Sequence, residues 1–358
     1  MLSDFPIPST RGTGNTRRMT YPRSQIAPPE EPGFFHVVTR CVRRAFLCGD
    51  DQFTGKNFDH RRQWIDDRIR HLADSFAVSV YSYAVMSNHT HIVLFVDPDE
   101  AQAWSDDEVA RRWLAVFPGA LRDAQSDEQK EYIHLGLRSD PERMKEIRSR
   151  LGSLSWFMRA LNEPIARWAN EEDGCSGRFW EGRFKCQALL EEQAVLSAMA
   201  YVDLNPVRAD MCETLEDSDH TSVQCRLKER SESGLSQSNL LGRPLKPVAG
   251  IDADALLGMT EADYLDLVQW TGEQAHPLKR GKLYGKRKTD SEQPPEAIWS
   301  LARHPKQWMR RVQGTESHYY RAIGSAEALM AKAADLGQRW MKGVSGERAW
   351  LILKSQIE

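Results

Sequence analysis

Two histidines, His89 and His91, are separated by a single residue in a run of β-branched and apolar side chains. Side chains two positions apart on a strand point to the same face of the sheet, so both imidazoles can reach one cation. Neutral imidazole is a common metal ligand. The pair alone does not distinguish a metal site from two unrelated strand histidines, which are the commoner case.

A tyrosine and an asparagine, Tyr201 and Asn205, lie four residues apart and directly before Pro206. On a helix this spacing puts the phenol and the amide on one face, one turn apart. Because proline does not continue a helix, we expect the pair in a last turn, where side chains can reach past the helix end. A helical tyrosine is more often a half-buried packing residue, so this pair alone favours packing.

Residues 177–185 combine cationic and aromatic side chains. Read as a strand, the segment places Phe179, Arg183 and Lys185 on one face. Such a face can bind single-stranded nucleic acid, because bases stack on the ring while cations neutralise the phosphates. An ordinary strand with one solvated face gives the same pattern.

The elements that must position these residues begin in a strand, helix, strand, strand order. Residues 34–42 read as a buried strand, and residues 59–76 carry apolar side chains at helical spacing. Residues 77–86 and 89–96 are two further strands joined by a tight connection. This order is half of a ferredoxin-like split βαβ unit. We therefore expect an α+β fold with an antiparallel sheet, helices on one face and a small helical C-terminal region.

The later motifs also lie on predicted helices and strands. Helical spacing predicts a helix over residues 154–170, then a strand over 178–190 and a helix over 191–205 that Pro206 stops. Residues 98–150 read as an acidic, mostly helical insertion between the two groups of elements.

Composition divides the chain into four parts. Residues 1–32 are rich in proline and mildly basic, as in a flexible arm, and residues 33–225 hold the motifs in one folded domain. Residues 226–250 are polar and predict a linker. Residues 251–358 predict a helical C-terminal domain that contains a basic run at 279–288.

The three motifs, in this order, resemble those of the HUH single-tyrosine transposases in their REP-associated branch. Residues 86–94 look like the histidine strand of that family, and residues 201–209 closely resemble its tyrosine helix. Residues 33–48 and 177–185 also resemble that branch, in the same order. The resemblance covers about residues 33–225 and is most specific in the tyrosine helix.

This resemblance implies breakage and rejoining of single-stranded DNA by Tyr201, which leaves a 5′-phosphotyrosine and a 3′-hydroxyl. It also implies Mg²⁺ or Mn²⁺ held by His89, His91 and Asn205. Thr90 departs from the family, which has a hydrophobic residue there; its side chain should point away from the metal. The expected partner is single-stranded DNA, in particular hairpin-forming repeats.

Four residues are the candidates for DNA contacts. We expect Arg178, Arg183 and Lys185 to bind the phosphate backbone and Phe179 to stack on a base. The basic run at residues 279–288 could hold further phosphates, and a solvated linker would have the same composition.

Total charge gives no independent support for a nucleic-acid partner. The 358 residues include 48 basic and 51 acidic ones, for a formal net charge of −3. The charge is segregated, however, because the basic run contains no acid. A polyanion docked on one face is therefore favoured.

Targeting signals are missing from the sequence pattern. Residues 1–20 lack the apolar core of a signal peptide, and no apolar stretch approaches the ~18 residues that span a bilayer. The 6 cysteines include no Cys-x-x-Cys pair and are too sparse for a secreted disulfide scaffold. We expect a cytoplasmic protein with no membrane partner.

Other functions stay open on the sequence alone. A protein that binds DNA hairpins without catalysis could carry the same motifs. A relaxase or replication-initiator nickase shares the chemistry, although the Asn-Pro-Val-Arg segment at residues 205–208 disfavours it. A general metallohydrolase is least favoured, since no third histidine or acidic ligand stands near the histidine strand. Both a monomer and a homodimer are compatible with the sequence.

Overall fold

The computed structural model of the chain describes residues 22–42, 47–49, 55–234, 236, 239, 241–252, 256–274, 281–283, 294–302 and 304–354. Residues 1–21 of the expected arm lie outside the described residues. Of the basic run at 279–288, only residues 281–283 are described. The DNA-binding role considered for that run stays a prediction.

A six-stranded sheet forms the centre of the chain. Its strands are β1 (Gly33–Arg40), β2 (Val78–Val85), β3 (His89–Val96), β4 (Lys185–Leu189), β5 (Ala249–Gly250) and β6 (Ala322–Ile323). The order is β5-β2-β3-β1-β4-β6, and the four central strands pair with one another in antiparallel fashion. The central order β2-β3-β1-β4 is that of a ferredoxin-like unit. The expected α+β class is confirmed.

Helices connect and cover these strands. In the described part of the chain they are α1 (His60–Ser75), α2 (Pro98–Ala103), α3 (Asp106–Val116), α4 (Asp127–Arg138), α5 (Pro141–Leu151), α6 (Leu154–Glu172), α7 (Glu192–Asp203), α8 (Asn205–Arg208), α9 (Ser222–Glu232), α10 (Glu261–Glu273), α11 (Ala297–Leu301), α12 (Pro305–Gly314), α13 (Ala326–Asp335) and α14 (Val344–Lys354). None of these helices combines the length and the apolar character needed to cross a bilayer.

The helices lie on both faces of the sheet. Tyr83 of β2 donates a hydrogen bond to Asp66 of α1 (2.8 Å), while the adjacent Ser82 donates one to Asp203 of α7 (2.9 Å). Successive strand residues point to opposite faces, so α1 and α7 lie on opposite sides. The expectation of helices on one face is therefore wrong for α7. Because every residue of β2 is buried, both faces of this strand need a cover.

The segment expected as a linker, residues 226–250, contributes to the folded core. Helix α9 extends through it to Glu232, and Arg226 is buried within that helix. Arg226 donates a hydrogen bond to the Tyr81 carbonyl (3.0 Å) and pairs with buried Glu261 (3.4 Å). The polar composition that suggested a solvated linker therefore includes buried, paired charges.

The region after residue 250 is not only helical, as its composition suggested. It supplies β6, which runs parallel to β4, and residues just before it supply β5 at the opposite edge of the sheet. Strands of two residues have no detectable period in a sequence, which explains why the pattern did not predict them. Residues 249–250 and 322–323 thus complete the sheet at its two edges.

Helix α7 is tied to the C-terminal region through a buried carboxylate. Asp203 accepts hydrogen bonds from Ser82, Ser222 and Tyr264, and burial raises its pKa despite these bonds. We expect Tyr264→Phe to lower the free energy of unfolding by about 1–3 kcal/mol, because a buried acceptor loses a donor. Denaturant unfolding measures this, with Tyr132→Phe as the control, since Tyr132 is 79% exposed on α4. Equal free energies of unfolding of the two variants would contradict a stabilising role for the hydrogen bond from Tyr264 to Asp203.

Candidate active site

The histidine pair lies on β3, on the face that α7 covers. His91 is opposite Val38 of β1 and is fully buried, whereas His89 is opposite Arg40 and partly exposed. The two imidazole centroids are 4.7 Å apart, with their planes at 78°. Thr90 has the opposite strand parity and points to the other face, as expected. The departure from the family at Thr90 therefore leaves the histidine face unchanged.

Tyr201 reaches the same face from α7. This helix is buried on nearly all sides, and strong helix formers such as alanine, leucine and methionine fill it. The Tyr201 ring lies 5.7 Å from the His91 ring between centroids, at 83°. The phenol and the histidine pair thus belong to one site.

Asn205 is the first residue of α8, just beyond the end of α7. Pro206 occupies the first turn of α8, where its missing N–H breaks no helical hydrogen bond. The helix therefore ends slightly earlier than the sequence indicated, and the chain turns at Leu204. Asn205 is nevertheless buried, directly after the helix that carries Tyr201.

A third histidine, which the sequence reasoning missed, completes a buried chain of hydrogen bonds. His36 of β1 stacks on His91, with ring centroids 5.2 Å apart and planes at 8°. Its Nε2 is 3.0 Å from Nδ1 of His91, and its Nδ1 is 2.8 Å from Oε1 of Gln187 on β4. The only sequence signal for His36 is its position in β1, because its contact with His91 depends on strand register.

The protons in this chain can be assigned from the hydrogen-bond network. The Gln187 amide nitrogen donates to the Thr315 carbonyl (2.9 Å), so the amide oxygen faces His36 and Nδ1 of His36 carries the proton. Burial lowers the pKa of His36, which keeps the ring neutral and makes its Nε2 an acceptor. His91 therefore donates from Nδ1 and has its lone pair on Nε2.

The phenol of Tyr201 has a carboxylate partner from the C-terminal region. Its hydroxyl donates a hydrogen bond to Oε2 of Glu316 at 2.9 Å. Burial, then the charge of Glu316 and this hydrogen bond, raise the pKa of the Tyr201 phenol, while the nearby Asn205 amide opposes the rise. The phenol is therefore protonated at neutral pH. No sequence pattern singled out Glu316, because it lies outside the segment that resembles the family.

The donor set fits a loosely held divalent cation. Among the described residues, no group of three or more His, Cys, Asp or Glu is arranged to hold a metal, so a third ligand here must be of another type. The Asn205 amide oxygen is a suitable neutral donor beside the His89 and His91 imidazoles. The hydrogen bond between His36 and Nδ1 of His91 fixes the orientation of the His91 ring. Metal-binding histidines are usually held by such a bond to the second ring nitrogen. Asp203, the acidic alternative, is turned away and bonded to Ser82.

The predicted strand over residues 178–190 begins only at Lys185. Residues before it form a loop that contacts β1 through a bridge from Trp180 to Cys41. Phe179 is 3% exposed and packs edge-on against Trp180, with ring centroids 4.8 Å apart. The expectation that Phe179 stacks on a base is therefore wrong: the parity argument assumed a strand, and the loop turns this ring into the core.

The cations of this segment nevertheless lie on the surface. Arg178, Arg183 and Lys185 are all exposed. Lys185 is opposite Val38, which is itself opposite His91, so Lys185 shares the histidine face at about 10 Å, two strand spacings away. Arg23 lies 3.6 Å above the Phe184 ring, and burial and then the charge of Arg183 lower the pKa of Arg23. We call the two exposed cations at the start of β4, Arg183 and Lys185, the positive rim.

Comparisons with known proteins assign no function to the chain. No protein-family model matches the chain, and no curated protein matches it. Among solved structures, the chain is similar to a REP-associated tyrosine transposase bound to a REP hairpin. That similarity covers 63% of this chain and 91% of the other, at 11% sequence identity and a TM-score of 0.32. The assignment of function therefore rests on the geometry of this chain's own residues.

Proposed function

We propose that this chain is a metal-dependent nuclease and strand transferase that acts on single-stranded DNA through Tyr201. One observation carries the proposal: the Tyr201 ring lies against His91, with centroids 5.7 Å apart, on the face that also holds His89. The sequence motifs around these residues resemble those of the HUH single-tyrosine transposases, which supports the same chemistry.

The site contains what a tyrosine nucleophile needs. A phenol with an ordinary pKa near 10 is about one-thousandth ionised at pH 7, and burial makes the Tyr201 phenol still weaker as a nucleophile. His89, His91 and Asn205 would hold Mg²⁺ or Mn²⁺, which polarises a phosphate and stabilises charge on a leaving oxygen when bound. The residues of the chain then orient the phenol and take up its proton.

The proposed reaction exchanges one phosphodiester for another. The Tyr201 oxygen forms a bond to the scissile phosphorus, and the bond from phosphorus to the 3′-oxygen breaks. The products are a 5′-phosphotyrosine and a 3′-hydroxyl. Because the energy of the phosphodiester is kept in the protein–DNA bond, a second 3′-hydroxyl can reverse the step and join a new strand.

The positive rim is the proposed DNA contact. We expect the double variant Arg183→Gln, Lys185→Gln to bind a single-stranded hairpin more weakly, with a log–log salt slope reduced by about 0.7 for each lost phosphate contact. Fluorescence anisotropy of a labelled hairpin across a salt series measures this. Lys130→Gln, on an exposed position of α4, is the control and should leave the slope unchanged. An unchanged slope in the double variant would exclude these two cations from the DNA-binding face.

The proposed activity is tested with labelled hairpin oligonucleotides and Mn²⁺. A protein–DNA adduct that survives denaturing electrophoresis is the expected result, and the sequence of the adduct identifies the target. Hairpin binding without an adduct would instead support a non-catalytic DNA-binding protein. Cleavage without an adduct would support a metallohydrolase.

A further inference from the structure

We propose that Glu316 is the general base of the reaction and accepts the phenol proton of Tyr201. This inference rests on the proposed function and adds a catalytic residue from outside the part of the chain that resembles the family. The Tyr201 hydroxyl donates to Oε2 of Glu316 at 2.9 Å, within the reach required of a general base.

The position of Glu316 is fixed on its N-terminal side by buried contacts. Helix α12 ends at the residue before Thr315, which is fully buried. The Thr315 hydroxyl donates to the Arg311 carbonyl (3.1 Å), and its own carbonyl accepts the hydrogen bond from Gln187. The residue next to Glu316 is therefore fastened to Gln187 of β4, the same side chain that hydrogen-bonds His36.

The chain is also fixed on the C-terminal side of Glu316. Strand β6 pairs with β4 six residues later, so the segment between α12 and β6 is attached at both ends. Below it, buried Arg311 forms an ion pair with Glu347 (2.9 Å). Tyr319, within the segment, donates a hydrogen bond to the same carboxylate. The carboxylate of Glu316 is thus presented to Tyr201 by a rigid scaffold.

Glu316 is exposed, whereas Tyr201 is 8% exposed. A carboxylate that contacts both a buried phenol and solvent can take a proton from the first and pass it to the second. The Asn205 amide, one helical turn away, cannot do this, because an amide does not accept a proton at neutral pH. The geometry therefore assigns proton transfer to Glu316.

The proton balance of the step is as follows. As the Tyr201 oxygen bonds to phosphorus, its proton passes to the Glu316 carboxylate, which becomes a neutral acid. The leaving 3′-oxygen takes a proton from water, and Glu316 then releases its proton to the hydroxide that remains. In rejoining, the incoming 3′-hydroxyl loses its proton to solvent. Glu316 takes up one proton from solvent and donates it to the departing phenol oxygen.

Single-turnover cleavage of an identified hairpin tests the role. We expect Glu316→Gln to slow adduct formation about 100-fold, since general bases contribute roughly 10²–10⁴-fold, and Glu316→Asp to retain more activity than the amide variant. In Glu316→Ala, added formate should restore part of the rate, which a merely structural role does not explain. Glu327→Gln, an exposed acid on α13, is the matched control. Binding of the hairpin with wild-type affinity verifies that each variant is folded.

The outcomes separate this inference from the proposed function. A wild-type adduct together with an unaffected Glu316→Gln variant would overturn the general-base role and leave the nuclease in place. Faster cleavage by Glu316→Gln would also overturn it, because Glu316 would then hold Tyr201 in an inhibited state. Absence of an adduct in the wild type would remove both proposals together.

Discussion

Tyr201→Phe is expected to abolish the covalent protein–DNA adduct and to reduce cleavage by at least about 10³-fold. The substitution removes the one oxygen that forms the bond to phosphorus, and it keeps the ring that packs 5.7 Å from His91 between centroids. Hairpin affinity should change little, since the cations of the positive rim are untouched. Electrophoresis under denaturing conditions and anisotropy measure the two effects separately.

The Tyr201→Phe variant should also fold normally. The lost hydrogen bond runs to an exposed carboxylate, and such a bond contributes about 1 kcal/mol to stability. Tyr132→Phe is the matched control, because Tyr132 lies on exposed α4 and carries the same chemical change. A Tyr201→Phe variant that still forms an adduct would show that another residue is the nucleophile.

The second large effect is expected at the histidine pair. His89→Ala should weaken Mn²⁺ binding at least about 100-fold. This exceeds the usual loss of metal affinity when only a residue that hydrogen-bonds a metal ligand is removed. Cleavage at limiting Mn²⁺ should fall in parallel, and EDTA should abolish it in the wild type. Hairpin binding should persist in both cases. His89 is preferred to His91 for this test because its ring is partly exposed, so its loss disturbs packing less.

Metal affinity is measured by electron paramagnetic resonance of Mn²⁺ or by calorimetry, without reference to cleavage. His71→Ala is the control, since His71 is an exposed histidine of α1 that bonds a backbone carbonyl. If His89→Ala bound Mn²⁺ as tightly as the control, the metal site would have to lie elsewhere and His89 would be a packing or DNA-contact residue.

The central fold follows from local patterns in the sequence. Strand β3 has the predicted bounds, and α1 and α6 begin within a residue of the predicted positions, because strong period-2 or helical spacing marks them. The alternation of side chains along this strand correctly predicted that His89 and His91 lie on one face of the sheet and Thr90 on the other. The placement of α7 on the opposite face could not be derived, since no local pattern states which face a helix covers.

The contacts around the nucleophile were only partly predictable. Helical spacing relates Tyr201 to Asn205, whereas the contacts of His36 and Gln187 arise from strand register between distant segments. Glu316 reaches Tyr201 from the far end of the chain, and its approach depends on the pairing of two-residue β6 with β4. Tertiary geometry of this kind leaves no mark in composition or periodicity.

In the segment predicted to bind DNA, residues 177–185, a local pattern misled the prediction. Alternation of cations and aromatics suggested a strand over residues 178–190, yet only Lys185–Leu189 forms one. Glycines on either side of the aromatic pair, at positions 177 and 182, allow a loop instead, and Gly177 has a positive φ of 111°. The cations stay exposed in either geometry, whereas the Phe179 ring does not.

Peptide mapping by mass spectrometry is the most direct test of Tyr201 as the nucleophile. The wild-type chain is incubated with a cleavable single-stranded hairpin and Mn²⁺, the DNA is trimmed by nuclease, and the modified peptide is sequenced. We predict a nucleotide joined through its 5′-phosphate to Tyr201. A nucleotide on any other residue, or cleaved DNA with no modified peptide, would contradict the assignment.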